Sequence, residues 1–174
     1  MLPEPALKPR AAPPQVWAEA MAYFKARAVA AIAADAWILG ADTIVVCGGE
    51  ILGKPRDLEG ARRMLELQAG RETEVITGVA LTALGAGRNR IIQHAVTKVW
   101  MLDAREEREA YLRGGEWSGK AGAYGIQDTG DRLVERIEGS FTNVVGLPLA
   151  LVRRMLEIAR IQSAAPPDDG GGKG

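Results

Sequence analysis

The segment WILGADTIVVC, residues 37–47, decides the fold class, because it is a nearly continuous run of apolar and β-branched residues. Runs of this length and composition form buried strands, and the Gly48-Gly49 pair that follows is typical of a tight turn. Patterns with helical spacing lie before and after this strand. Helical and strand patterns that alternate in this way predict an α/β fold: a single domain with a central mixed β-sheet flanked by helices.

A helix is predicted on each side of this strand. Before it, residues 15–34 place apolar side chains at the spacing of one helical face. After it, Asp57 is a typical N-cap for a helix that ends before Gly70. The apolar stripe predicted for the first helix comprises Trp17, Met21, Phe24, Ala28 and Ile32.

The remaining elements are predicted from shorter patterns. Two β-rich runs, residues 74–84 and 90–103, are separated by a Gly-Ala-Gly turn, which favours an antiparallel hairpin. A short charged helix is expected at residues 105–113, a strand near residues 133–137, and a last helix that Pro148 opens and that extends to residue 161. These elements complete one domain.

The two ends of the chain differ in composition from its middle. Residues 1–14 contain five prolines and predict an extended arm rather than a secretory leader. Residues 163–174 are rich in glycine and poor in apolar residues, and predict a disordered tail. The domain itself is expected to span residues 15–162.

Composition excludes several classes of function. Apolar residues make up 47% of the 174 residues and charged residues 25%, as in soluble globular proteins. Lysine plus arginine equals aspartate plus glutamate at 22 each, so no basic excess points to nucleic acid, and no apolar run is long enough to span a membrane. The single cysteine, Cys47, and the single histidine, His94, argue against a disulfide and a His-based zinc site and favour the cytoplasm.

Two residues suggest chemistry by themselves. Asp42 is an acid inside an apolar strand, and a buried carboxylate must be paired, protonated or metal-bound, unless it caps a turn at the strand end. Lys54 follows in a GKP loop; lysine in such a loop suits a phosphate, although a surface lysine is usually only solvated. Together they suggest metal-assisted chemistry on a phosphate, with low specificity.

Two blocks of the sequence resemble the Maf family of nucleoside triphosphate pyrophosphatases. Residues 40–79 contain GADT and GKP, and residues 115–148 contain KAGAYGIQ and NVVGLP. The first predicted helix, with Phe24-Lys25-Ala26, is similar to the KA-containing helix of the family. The order and spacing of these motifs carry the resemblance, which none of them would carry alone.

The resemblance implies a Maf-like fold, related to inosine triphosphatase-like folds. It implies hydrolysis of a nucleoside triphosphate to the monophosphate and pyrophosphate in the cytoplasm, with a divalent cation, Mg²⁺ or Mn²⁺. Members of the family are often homodimers. The KAGAYGIQ form, residues 120–127, is similar to the subgroup that acts on dTTP and UTP.

The resemblance also implies roles for individual residues. Asp42 matches the aspartate that serves as general base and metal ligand, and Glu4 matches an acidic residue ahead of the helix lysine, a second metal ligand. Two lysines match positions that bind the phosphates, and a threonine and a glutamine match positions associated with base selectivity. These substrate-binding residues are Lys25, Lys54, Thr43 and Gln127.

Two alternatives stay open. Members of the family begin with a strand and a turn similar to ASxSPRR, whose serine and arginines bind phosphate, and residues 1–14 do not contain this pattern. One alternative is therefore a Maf-like nucleotide-binding protein that is catalytically weak or inactive, whose activity an N-terminal extension is expected to restore. The other is a different phosphohydrolase that uses the same Asp–Lys pair.

Overall fold

The computed structural model describes residues 12–30, 33, 36–83, 90–127 and 129–160. Within these ranges five strands form one sheet in the order β2-β1-β3-β4-β5, and helices cover both of its faces. The helices are α1 (Pro14–Ala30), α2 (Leu58–Gln68), α3 (Arg105–Gly114), α4 (Phe141–Val145) and α5 (Leu149–Ile158). The strands are β1 (Trp37–Cys47), β2 (Glu50–Leu52), β3 (Glu72–Ala83), β4 (Arg90–Met101) and β5 (Val134–Glu138).

The α/β architecture is confirmed, but the sheet is not mixed in the described residues. All four strand pairings there are antiparallel. The strands β2 and β3 do run in the same direction, connected through α2 as in a crossover between parallel strands. However, β1 lies between them and pairs with both, so no parallel pair forms.

Side chains alternate between the two faces of the sheet, and each face packs against its own helices. On one face Ile44 and Ile76 pack against α1. On the other face Val45 and Val75 form the main core with α2 and α3, and further along β3 the core continues with α5. The predicted placement of helices on both sides of the sheet is confirmed.

The helix α1 touches the backbone of the sheet. A Cβ atom added at Gly78 would lie 2.2 Å from the carbonyl oxygen of Ala18, and one added at Gly40 would lie 2.3 Å from that of Ala22. Only glycine in the strands and alanine in the helix permit this approach. The contact fixes the position of α1, and with it the position of Lys25.

This contact also corrects the predicted stripe of α1. The buried positions are Ala18, Met21, Ala22 and Ala26, whereas Phe24 is 58% exposed. Hydrophobicity suggested that the largest residues face the core, but large side chains would hold the helix away from the glycines. Trp17 and Ala28 are partly buried, and Ile32 lies outside the described residues.

The other local predictions agree with the structure. The bounds of β1 are those of the predicted strand, and Asp57 caps α2 by accepting a hydrogen bond from the Gly60 amide at 2.7 Å. The hairpin β3–β4 is antiparallel, while its turn, the proline-rich arm up to residue 11 and the tail lie outside the described residues. The domain limits stay a prediction. In the described part of the chain, no helix is long and apolar enough to cross a membrane.

Candidate active site

A cleft of about 300 Å³ lies beside β1 and brings together five of the predicted site residues. One of these side chains comes from the helix α1 and two come from the strand β1. The other two come from the loop after β2 and from the loop after α3. Because these segments are far apart in sequence, only the tertiary fold brings them to one place. In this order the five residues are Lys25, Asp42, Thr43, Lys54 and Gln127.

The position of the cleft follows from the shape of the sheet. The short strand β2 pairs only with Val45–Cys47, so in the described ranges residues 37–44 of β1 pair with β3 alone. Side chains on both faces can reach an open strand edge. Asp42 and Thr43 therefore line one cleft although they point to opposite faces.

Asp42 forms an ion pair with Lys25 of α1, in which the Lys25 ammonium donates a hydrogen bond to Oδ1. The Asp42 side chain is only 10% exposed, whereas that of Lys25 is 45% exposed. Asp42 lies opposite Gly78 in the middle of the β1–β3 ladder, so it is not a turn cap at a strand end. Its carboxylate is a paired, largely buried charge beside the cleft.

The two loops that carry Lys54 and Gln127 are joined to each other. The amide of Gly122 donates to the carbonyl of Gly53 at 3.0 Å. The buried side chain of Gln68 on α2 donates to the carbonyl of Gly122 at 2.7 Å. Gly122 has a φ of +67°, and a Cβ there would lie 2.8 Å from the Val45 side chain. The helix α2 therefore holds both loops in place.

Lys120 is a cleft residue that the sequence-based assignment missed. It lines the cleft with Lys25 and Lys54, so three lysines surround the space beside Asp42. A Cβ at Gly125 would lie 2.4 Å from the Lys120 ammonium, so the glycine leaves room for the lysine to lie across the loop. The KAGAYGIQ motif contains both Lys120 and Gly125, so this motif could have identified Lys120 as a site residue from the sequence.

The far wall of the cleft is formed by the end of α4, which Asn143 attaches to the sheet. The buried Asn143 amide nitrogen donates to the Val75 carbonyl and to the Thr97 hydroxyl, each at 3.0 Å. The side-chain hydroxyl of Ser140 accepts a hydrogen bond from the backbone N–H of Asn143 and caps the helix α4. The Asn143 side chain therefore tethers this helix to β3 and β4.

The sequence of this chain is similar to those of one family of known proteins. A family profile described as "Maf-like protein" matches residues 2–159. The chain belongs to the Maf family. It is 49% identical to the dTTP/UTP pyrophosphatase of Moorella thermoacetica over 147 residues, which are 84% of this chain and 75% of that protein. It is 51% identical to the dTTP/UTP pyrophosphatase of Geobacter metallireducens over 130 residues, 74% of this chain and 67% of that protein.

Several other polar or aromatic residues of this Maf protein lie outside the cleft. His94 contacts Glu19 at 2.7 Å on the α1 side of the sheet. Cys47 is free and buried, and burial raises the pKa of its thiol. Trp117 donates its indole N–H to the Leu112 carbonyl and packs against the core, so it does not line the cleft that a nucleotide would enter. Glu4 lies outside the described residues.

The donor set of the Maf cleft suits a divalent cation that arrives with a substrate. Asp42 is the one carboxylate among the described residues that line the cleft. In that same part of the chain no three His, Cys, Asp or Glu side chains converge as a metal-binding group. Mg²⁺ is commonly held by one or two carboxylates together with substrate phosphates. Asp42 could supply the carboxylate of such an arrangement.

Proposed function

We propose that this Maf protein hydrolyses nucleoside triphosphates, with dTTP and UTP as preferred substrates, to the monophosphate and pyrophosphate. One observation carries the proposal: a largely buried carboxylate and three lysines converge on one cleft. The proposal is also supported by the relatives, which are named dTTP/UTP pyrophosphatases. The residues of the convergence are Asp42, Lys25, Lys54 and Lys120.

The reaction breaks the anhydride bond between the α and β phosphates. A water molecule attacks the α phosphorus, the carboxylate of Asp42 accepts a proton from that water, and pyrophosphate leaves with the bond electrons. Lys54 and Lys120 offset the negative charge of the triphosphate. Lys25, which holds Asp42 before substrate binds, can also contact a phosphate, so substrate binding loosens its hold on the base.

A divalent cation, Mg²⁺ or Mn²⁺, would be held by Asp42 and by phosphate oxygens, with Glu4 as the second carboxylate that the family resemblance implies. When bound, it supplies charge neutralisation at the phosphates and polarises them for attack. The protein's own contribution is the placement of the carboxylate beside the lysines.

Gln127 and Thr43 would contact the base. Gln127 presents an amide, which both donates and accepts, and this suits the imide edge of uracil or thymine. Thr43 supplies a hydroxyl on the same side of β1 as the α4 wall. Gly125 lines the cleft in the same loop as Gln127 and leaves room there for Lys120.

A pyrophosphate-release screen over the common ribo- and deoxyribonucleoside triphosphates, with Mg²⁺ and with Mn²⁺, tests the proposal. We expect release to be fastest from dTTP and UTP. Binding of UTP in calorimetry without release of pyrophosphate would contradict the proposal and favour a non-catalytic nucleotide-binding protein. Release of a different product, such as orthophosphate, would favour another phosphohydrolase.

Other properties proposed for the protein are a cytoplasmic location, a homodimeric state and the absence of nucleic-acid partners. The first is consistent with a single, buried cysteine that carries no disulfide. Light scattering of the purified chain tests the homodimeric state.

A further inference from the structure

Behind Thr43, a second threonine lies at the base of the cleft wall. Thr77 of β3 is the ladder partner of Thr43 and is fully buried, with 0% exposure. Its hydroxyl oxygen lies 2.9 Å from that of Thr43. It also donates to the backbone carbonyl of Asn143 at 3.3 Å. The three groups form a chain that runs from the cleft into the protein.

The directions of these hydrogen bonds follow from counting protons. A hydroxyl has one proton to donate, and a carbonyl can only accept. The contact between Thr77 and Asn143 is therefore a hydrogen bond only if Thr77 donates. The proton in the 2.9 Å contact between the two hydroxyls must then come from Thr43.

The opposite orientation is unfavourable. If Thr77 donated to Thr43, its lone pairs would face the lone pairs of the Asn143 carbonyl in a buried place. The Asn143 carbonyl also accepts from the Gly146 amide at 3.0 Å, so it keeps one donor in either case. The opposite orientation nevertheless gives up one hydrogen bond and sets two oxygens against each other with no proton between them. The Thr43 hydroxyl therefore donates its hydrogen bond to Thr77 and presents only acceptor lone pairs to the cleft.

We infer that the chain from Thr43 through Thr77 to Asn143 makes Thr43 a fixed hydrogen-bond acceptor, and that the cleft thereby selects substrates that present a donor to it. This inference rests on the proposed function. Uracil and thymine carry an N3–H donor in the imide, whereas the same ring nitrogen of cytosine accepts. Thr77 is a positioning residue in this scheme, because it does not line the cleft and acts through Thr43.

The donor could also be a ribose hydroxyl, and the substrates separate the two sources. UTP is compared with CTP, with N3-methyl-UTP, which lacks the imide donor, and with 3′-deoxy-UTP, which lacks a sugar donor. We expect the wild-type kcat/KM to fall for CTP and N3-methyl-UTP by about tenfold or more, and to change much less for 3′-deoxy-UTP. A loss confined to 3′-deoxy-UTP, or equal rates on UTP and N3-methyl-UTP, would overturn the inference.

The variant Thr77→Val tests the positioning role, because it keeps the shape and removes the hydroxyl. Freed from its partner, the Thr43 hydroxyl can rotate and donate to cytosine as well. We expect the UTP to CTP ratio of kcat/KM to fall toward unity by about tenfold, chiefly through KM. Thr77→Ser, which keeps the hydroxyl, should retain the wild-type ratio.

Thr82→Val is the matched control. Thr82 is a buried threonine on the same strand, on the opposite face of the sheet and outside the cleft. It should leave the ratio unchanged. If Thr77→Val lowers both rates equally and keeps the ratio, Thr77 is only structural and the inference fails. Should Thr77→Val not fold, Thr43→Val on UTP and N3-methyl-UTP decides: the inference requires the difference between these two substrates to shrink by about tenfold, the remainder belonging to Gln127. An unchanged difference would overturn it.

The two proposals fail in different ways. If the proposed function is wrong, the wild-type protein releases no pyrophosphate from UTP or dTTP. If only this inference is wrong, the wild-type protein is active, and the substrate ratios do not respond to Thr77.

Discussion

At the scale of single residues, Asp42 carries the largest expected effect. It is the one carboxylate among the described cleft residues, and its partner is a lysine that remains solvated when the charge is removed. We expect Asp42→Asn to lower pyrophosphate release by about 10²-fold or more, because the amide cannot accept the proton of the attacking water. The thermal midpoint should change little, since Asn keeps the shape of the side chain.

Glu72→Gln is the control for Asp42→Asn. It also removes one acidic charge that is paired with a lysine, Lys98, but at the surface and outside the cleft. Its activity should equal that of the wild type. Activity of Asp42→Asn within a few-fold of the wild type would remove Asp42 from the mechanism.

Gln127 is expected to act on selectivity more than on affinity for the triphosphate. The lysines contact only phosphate, whereas an amide can contact the edge of a base. We expect Gln127→Ala to reduce the UTP to ATP ratio of kcat/KM by an amount equivalent to about 1–3 kcal/mol, by analogy with base-edge contacts in nucleic-acid complexes. Steady-state kinetics on both nucleotides measure the ratio, and an unchanged ratio would place the selectivity elsewhere.

At the scale of secondary-structure elements, the contact between α1 and the sheet is the most sensitive. A Cβ at Gly78 would meet the backbone of Ala18, which cannot move without the whole helix. We expect Gly78→Ala to lower the free energy of unfolding by about 1–3 kcal/mol. Because α1 carries Lys25, pyrophosphate release should fall as well.

Urea unfolding monitored by circular dichroism gives this free energy, provided that the m-value stays constant. Gly114→Ala is the matched control, because nothing lies within 4 Å of a Cβ at the end of α3. That control should be neutral or slightly stabilising. Equal midpoints for the two variants would show that α1 can shift away from the sheet at little cost.

At the scale of the whole molecule, one buried phenol links stability to alkaline pH. Burial raises the pKa of Tyr124 well above its usual value, and the nearby Thr73 hydroxyl offsets part of that shift. In the unfolded chain this phenol loses its proton near pH 10. Above that pH the folded state holds one more proton than the unfolded state, so stability falls as pH rises.

We therefore expect the free energy of unfolding to fall by about 1.4 kcal/mol per pH unit above pH 10 on account of Tyr124 alone. Tyr124→Phe should remove this part of the alkaline loss, as seen in urea midpoints measured from pH 8 to pH 11. Tyr23→Phe is the control, because Arg90 and Arg27 beside Tyr23 lower the pKa of that phenol instead of raising it. In this variant the free energy of unfolding should still fall above pH 10. Parallel curves for the wild type and Tyr124→Phe would contradict the assignment.

The sequence by itself determined the features that depend on neighbours along the chain. The bounds of β1 follow from a local apolar run, and the start of α2 follows from the cap at Asp57, which needs only Gly60 to act. The motifs GADT, GKP and KAGAYGIQ are short enough to be recognised without a structure, and the family they indicated is confirmed. The roles of the site residues stay predictions.

Only the tertiary structure decided the features that depend on residues far apart in sequence. The apolar pattern of α1 could not show that alanines, rather than Phe24, face the sheet, because the reason lies in glycines of β1 and β3. The ion pair of Lys25 with Asp42 and the contact of Thr43 with Thr77 join separate elements. A pattern along one segment shows how polar each position is, but not which residues of other segments it contacts. Those long-range contacts determine the antiparallel pairing of the strands and the chemistry of the cleft.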